Sequence, residues 1–226
     1  CHDDAKLVRT VGDRKISMEV KPAVFAKSVH GKLSCQDCHP GIADLPHADK
    51  LPPATCTPCH ADEAKTYATS IHAASRSMGT SGAAKCSDCH GTHDIVPVKH
   101  SDSPVFKMNL ATTCARCHSN PTLAREYKMG APEAAAQYVE SIHARALLKM
   151  GLIIAPSCSD CHGAHNIRRA IDRDASINHA NYSQTCGKCH TGIAKLYDSS
   201  VHGQLLAKGD KRVPGCTARF RGHRFV

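Results

Sequence analysis

Residues 86–93 read Cys-Ser-Asp-Cys-His-Gly-Thr-His, and residues 158–165 read Cys-Ser-Asp-Cys-His-Gly-Ala-His. Their shared element, Cys-x-x-Cys-His, occurs six times. The copies are Cys35/Cys38/His39, Cys56/Cys59/His60, Cys86/Cys89/His90, Cys114/Cys117/His118, Cys158/Cys161/His162 and Cys186/Cys189/His190. This is the attachment signature of c-type haem. Two thioethers hold the vinyl edges of the porphyrin, and the histidine that follows reaches the iron from one face. Other uses of Cys-x-x-Cys fit less well. Structural zinc sites take two such pairs but need no histidine directly after the second cysteine. With 17 His among 226 residues, six such histidines in six motifs arise by chance on the order of 10⁻⁷ of the time. Thioredoxin-type pairs come singly beside a βαβ pattern, and disulfides within such pairs would close no long loop.

Composition agrees with haem as the interior. There is no Trp, and only five Tyr and four Phe, too few aromatics to fill an ordinary core of this size. Flat, apolar porphyrins, one for roughly 38 residues, supply the missing buried surface. The formal charge of +9 first points to an acidic partner such as nucleic acid. Each oxidised haem contributes about −1 through its two propionates, which brings the total to about +3. Nucleic-acid binding thereby loses its main support. No stretch approaches the ~18 apolar residues of a membrane helix. The most apolar, Ala146 to Pro156, is short and interrupted by Lys149.

A second pattern, aromatic-x-x-Ser-aliphatic-His, occurs at Phe25–His30, Tyr67–His72, Tyr138–His143 and Tyr197–His202. The aromatic and the aliphatic stand four apart, a spacing that puts them on one helical face. Helices are expected over Asp62–Ser77, Pro132–Met150 and Gly192–Lys208, with Pro132 in the first turn and Gly151 just past the end. A longer period overlies this: Cys86 to Cys158, Cys114 to Cys186 and His93 to His165 are each 72 residues apart. A fixed period marks one supersecondary unit used again. The units are diheme segments at 25–61, 62–131 and 132–191, flanked by the tail of a preceding unit at 1–24 and the start of an incomplete one at 192–226. Six six-coordinate irons need six further ligands. The repeat supplies His30, His47, His72, His93, His143 and His165, with His202 left for another haem. His100 and His179 do not align with the period.

Both ends read as interrupted units of a longer chain. Cys1-His2 resembles the tail of a motif, which would add a haem in the full-length chain. Cys216 follows His202 by 14 residues, as Cys86 follows His72, and His223 follows Cys216 by seven. Arg219 and Phe220 occupy the places of the second cysteine and its histidine.

With these motifs in view, the chain resembles periplasmic multihaem c-type cytochromes of the cytochrome c3-like family. The resemblance rests on Ser-Val-His-Gly at 28–31, the Cys-x-Asp-Cys-His-Gly-x-His runs and Leu45-Pro46-His47, and it spans Cys1 to about Gly215. It implies closely packed, mostly bis-His haems that relay electrons between a quinol-oxidising membrane partner and a terminal acceptor or reductase. The expected fold is mainly α and irregular, with short helices, long haem-wrapping loops and little or no sheet. Electron transfer without catalysis is the leading reading, because two histidines on an iron leave no open position. The alternative is a multihaem reductase of a nitrogen or sulfur oxyanion with one five-coordinate haem, at His118 or His190 first. A haem or metal sensor would need a companion signalling domain. Thioether attachment to reduced cysteines outside the cytoplasm points to the periplasm or the outer face of a membrane.

Overall fold

The computed structural model describes residues 2–42, 46–48 and 51–216, apart from the side chains of Val11 and Arg14. Cys1, Leu45, Arg219, Phe220 and His223, on which some of the sequence readings rest, lie outside the described residues. Helix makes up 42% of the described residues, and the strands among them form a single hairpin. The fold is therefore mainly α and irregular. Two compact units are present: Cys1–His60 with Cys86–Phe106, and Ala61–Lys85 with Lys107–Val226.

The first unit opens with β1 (Val8–Val11) and β2 (Arg14–Ser17), an antiparallel pair in which Val8 faces Ser17 and Val11 faces Arg14. Gly12 and Asp13 form the two-residue turn, and Gly12 has φ +59°, as the tight hairpin turns require. There follow α1 (Pro22–Phe25), α2 (Cys35–Cys38) and α5 (Cys86–His90). The second unit holds α3 (Ala61–Ala68), α4 (Ile71–Ser77), α6 (Leu110–His118) and α7 (Pro121–Glu126). It continues with α8 (Ala134–Glu140), α9 (Ile142–Ala144) and a π-turn at Arg145–Lys149. Its last part comprises α10 (Cys158–His162), a 3₁₀ turn at His179–Asn181, α11 (Tyr182–Gly187), α12 (Thr191–Ser199) and α13 (Val201–Ala207).

The three long helices expected from the sequence are each broken in two, at the serine of the Ser-aliphatic-His pattern. Ser70, Ser141 and Ser200 take extended backbone, with ψ near 160° (159°, 159° and 163°), and begin α4, α9 and α13. Each side-chain oxygen accepts from the N–H three residues on: Ala73, Ala144 and Gly203. Serine competes with the helix for backbone partners and is favoured at N-caps for that reason. The aromatic and the aliphatic therefore belong to different helices rather than to one face of a single helix. Pro132 likewise precedes the helix, which starts at Ala134 after Glu133. Gly151, with φ +69°, does end the segment.

Ser141 is fully buried, so its loss leaves the Ala144 N–H without a partner. Ser141→Ala should cost about 1–2 kcal/mol, read as a lowered melting temperature of the holoprotein with unchanged haem content.

Side chains alone make a thin interior. Among the described residues, the buried apolar ones are Ala111, Ala124, Tyr138, Ala144, Leu147, Ala155 and Ala175. Five of these seven are alanines, the smallest contribution a buried apolar side chain makes. One cluster, Ala111, Tyr138 and Ala144 with Leu148 against it, joins α6 to α8 and α9.

Candidate functional site

The first motif of a unit folds as a single helical turn, which sets its two cysteines three residues apart on one face. α2, α5 and α10 are these turns, and His90 and His162 close α5 and α10. The aspartate of Cys-x-Asp-Cys has a local task that the motif reading missed. Asp37 accepts from the Ser34 N–H at 2.7 Å and from its hydroxyl at 2.9 Å. Asp160 does the same for Ser157, at 2.7 and 3.2 Å. These are capping boxes, and the Ser-x-x-Asp spacing at 34–37 and 157–160 is the signal that reveals them. After the turn, Gly91 and Gly163 take φ +88° and +79°, which redirects the chain toward His93 and His165.

The second motif of a unit has no single form. Cys114 and Cys117 lie in the last part of α6, and Cys186 is near the end of α11 with Cys189 just beyond it. Cys56 and Cys59 stand outside any helix, in a turn where the Cys59 and His60 N–H groups donate to the Cys56 carbonyl at 3.3 and 3.0 Å. The twelve motif thiols also differ in cover: Cys35, Cys56, Cys59, Cys86 and Cys189 are exposed, whereas Cys38, Cys89, Cys114, Cys117, Cys158, Cys161 and Cys186 are half-buried. The polypeptide by itself does not gather Cys59, Cys89 or the others into a cage of metal ligands, since no group of three or more His, Cys, Asp or Glu is set to hold an ion among the described residues.

The tyrosines of the second pattern orient the approach to the next motif. Tyr67 Oη donates to the Ala84 carbonyl at 2.6 Å, Tyr138 Oη to Pro156 at 2.9 Å and Tyr197 Oη to Pro214 at 3.0 Å. Each acceptor lies two residues before the first cysteine of a unit: Cys86, Cys158 and Cys216. Cys216 therefore sits in the same local frame as the attachment cysteines. Phe25, which has no hydroxyl, instead meets His93 edge-on at 6.5 Å. The Ser-aliphatic-His and Gly-x-His segments pair through the backbone. Val29 N–H donates to Ile95 O and Ile71 N–H to Ile167 O, both at 2.8 Å.

Each of four motif histidines faces a histidine from outside any motif. His60 meets His30 at a ring-centre distance of 6.0 Å, and His39 meets His93 at 6.3 Å. His118 meets His72 at 6.2 Å, and His190 meets His143 at 6.1 Å. A metal–imidazole bond of about 2.0 Å, with the ring centre about 1.1 Å behind the nitrogen, sets two trans imidazoles about 6.2 Å apart. The residues present thus fit an iron held from both sides. The interplanar angles of the four pairs run from 27° to 78°. Such spread is expected of rings free to differ in rotation about one common axis. His47 stands against His2 rather than against a motif histidine of its own unit. His202 is the second residue of α13 and is exposed. His100 is exposed beside Asp102, and His179 packs edge-on to Tyr182.

Burial lowers the pKa of His72, with His118 adding to the effect. Burial alone lowers that of His118. His143 is lowered by burial and then by His190, and His39 by burial and then by His93 and His2. All four are held toward the neutral imidazole that binds metals. The cysteines of successive motifs are also neighbours. Burial raises the Cys56 thiol, with Cys86 beside it. A hydrogen bond between Cys114 and Cys158 pushes Cys114 up and Cys158 down. Burial raises Cys161 next to Cys186, and Cys186 next to Cys216. Thiols raised in this way stay protonated and are poor disulfide-exchange nucleophiles.

The family model for the class III cytochrome c family matches residues 3–118. The chain belongs to the class III cytochrome c family. As a class III cytochrome it is a multihaem electron carrier with covalently bound c-type haem. No curated protein and no solved structure matches it at a significant level. The match takes in the first four Cys-x-x-Cys-His motifs, and the 72-residue repeat carries the same pattern on to His190 in this class III cytochrome. Among its described residues, no helix is long and apolar enough to cross a membrane.

Proposed function

We propose that this chain is a periplasmic electron relay that holds six haem c groups, each gripped by two histidines, with no iron position open to a substrate. The observation that carries the reading is the pairing of His39, His60, His118 and His190 with His93, His30, His72 and His143 at 6.0–6.3 Å. When bound, haem c supplies reversible one-electron chemistry at its iron. The chain's residues anchor and orient it. The twelve motif cysteines, from Cys35 to Cys189 and including Cys59 and Cys89, hold the porphyrin edges. The histidine after each pair, including His90 and His162, is the proximal ligand. His30, His72, His93 and His143 hold the opposite face. His165 is assigned by its place in the repeat, seven residues after Cys158, and His202 by its Ser-x-His position.

His118 and His190 were the positions of first interest for an open iron, and both face a histidine, which favours transfer over catalysis. Nitrogen ligation without Met keeps reduction potentials low. The partners are redox proteins: a quinol-oxidising membrane complex on one side and a terminal acceptor on the other. The sequence units at 25–61, 62–131 and 132–191 are the diheme modules of this relay, supported by the recurring tyrosine and serine contacts.

Pyridine haemochrome titration against protein mass is expected to give no fewer than six haems per chain, with no zinc. The reduced protein should leave the haems of His118 and His190 unshifted by carbon monoxide. One or two haems per chain would overturn the scheme, and carbon monoxide binding at either haem would favour the oxyanion reductase.

A further inference from the structure

We propose that residues 150–154 form a loop that docks this chain on the surface of a lipid bilayer rich in anionic headgroups. The loop occurs three times in the second unit. Gly79, Gly151 and Gly209 open it with φ of +90°, +69° and +93°. It closes five residues later at Ala84, Pro156 and Pro214, whose carbonyls are held by Tyr67, Tyr138 and Tyr197. Between these ends the Ala83 N–H donates to Thr80 O at 3.2 Å, and the Ala155 N–H donates to Leu152 O at 2.8 Å.

The side chains do not follow the backbone. One copy carries Thr80-Ser81-Gly82 and another Asp210-Lys211-Arg212, where Arg212 and Asp210 form an ion pair at 2.7 Å. The middle copy carries Leu152-Ile153-Ile154, shortly after Met150. Leu152 and Ile153 are each 49% exposed, Ile154 is 74% exposed and Met150 76%. Neither the turn nor a haem common to the repeat calls for apolar residues at 152–154, because the sister loops place polar ones at the same positions. Large apolar side chains left together in water mark a surface that something else covers.

Charge decides the occupant. From Ser141 to Ser157 the chain has no Asp or Glu, while Arg145 and Lys149 are both exposed, four residues apart on the turn that leads into the loop. A second copy seated on this face would set these cations against their own likes. An anionic lipid surface instead takes the cations at its headgroups and the apolar tip among its acyl chains. Those two contributions together hold a peripheral protein on a membrane. Docking of this kind would place the relay beside a quinol-oxidising membrane partner, although the contact itself does not rest on that reading.

The test is co-sedimentation of the haem-loaded protein with vesicles of phosphatidylcholine and phosphatidylglycerol, against vesicles of phosphatidylcholine alone. The protein should bind the mixed vesicles, and more weakly as salt rises. Leu152→Thr, Ile153→Ser and Ile154→Gly together give the loop its sister's sequence, on a backbone that already accommodates it. This triple variant should lose about tenfold or more of the binding, with melting temperature and haem absorption unchanged. Arg145→Gln with Lys149→Gln should abolish the preference for the mixed vesicles. Equal binding by the triple variant would overturn the proposal. No binding of the unaltered protein to either vesicle would do the same, and would leave the loop to a redox protein. A mass that doubles with concentration and reverts in the triple variant would overturn it in favour of a second copy. A markedly lower melting temperature or a shifted haem absorption band in that variant would overturn it by showing that the loop covers a haem.

Discussion

Denied haem, the chain should lose its fold altogether. A variant with all twelve motif cysteines replaced by serine is expected to show little helical circular dichroism and no cooperative thermal transition. The buried apolar side chains of the described residues are five alanines, Leu147 and Tyr138. A fully buried leucine contributes about 1.5–3 kcal/mol, whereas ordering each residue's backbone costs about 1–2 kcal/mol. So short a list of buried groups does not offset the ordering of more than 200 residues. Met150, Ile154, Ile171, Leu196 and Val201 are large apolar side chains that the polypeptide itself does not cover. Helices of four to nine residues, such as α2 and α12, are too short to persist without tertiary support. A cooperative melt with helical content retained in the cysteine-free chain would contradict haem as the core.

His72→Ala is expected to change one haem and spare the rest. His72 faces His118 at 6.2 Å, and burial holds both toward the neutral form. Removing the imidazole while its serine cap stays opens one axial position. The reduced variant should take up one more equivalent of carbon monoxide than the unaltered protein, and the oxidised variant should gain a single high-spin signal. Covalent haem content should not fall, because Cys114 and Cys117 are untouched. His100→Ala, on an exposed residue outside the repeat, is the control and should change neither quantity. An unaltered carbon monoxide uptake in His72→Ala would show that His118 takes its partner elsewhere.

Much of the candidate site was legible because its chemistry is local. The two cysteines and the histidine of a motif lie within five residues, so spacing alone marks them as candidates for haem attachment. Spacing does not reveal their backbone form: Cys89 stands in a helical turn, while Cys59 stands in a turn outside any helix. The Ser-x-His pattern was legible as a repeated element, yet its effect on the backbone was not. Summed helix propensity favours one continuous helix through Tyr67 or Tyr138, but a serine hydroxyl bonding the N–H three residues on outweighs it at Ser70 and Ser141. The capping role of Asp37 and Asp160 is equally local, and its Ser-x-x-Asp signal overlaps the haem motif itself. The Gly12-Asp13 hairpin has only a weak sequence signal, a two-residue turn between short strands.

Partner choice among the histidines had no local signature. His60 closes with His30 from its own unit, while His39 closes with His93 from the next, although both motifs look alike in sequence. The tertiary structure decides this through contacts far apart in the chain. The Val29 and Ile71 N–H groups bond to Ile95 and Ile167, and three tyrosine hydroxyls tie each helix to the loop before a cysteine. By itself, then, the sequence determined that the chain is a c-type haem protein and marked the candidate attachment residues, because thioether attachment needs residues adjacent along the backbone. Only the tertiary structure decided which imidazoles face one another, because that depends on where distant segments meet in space.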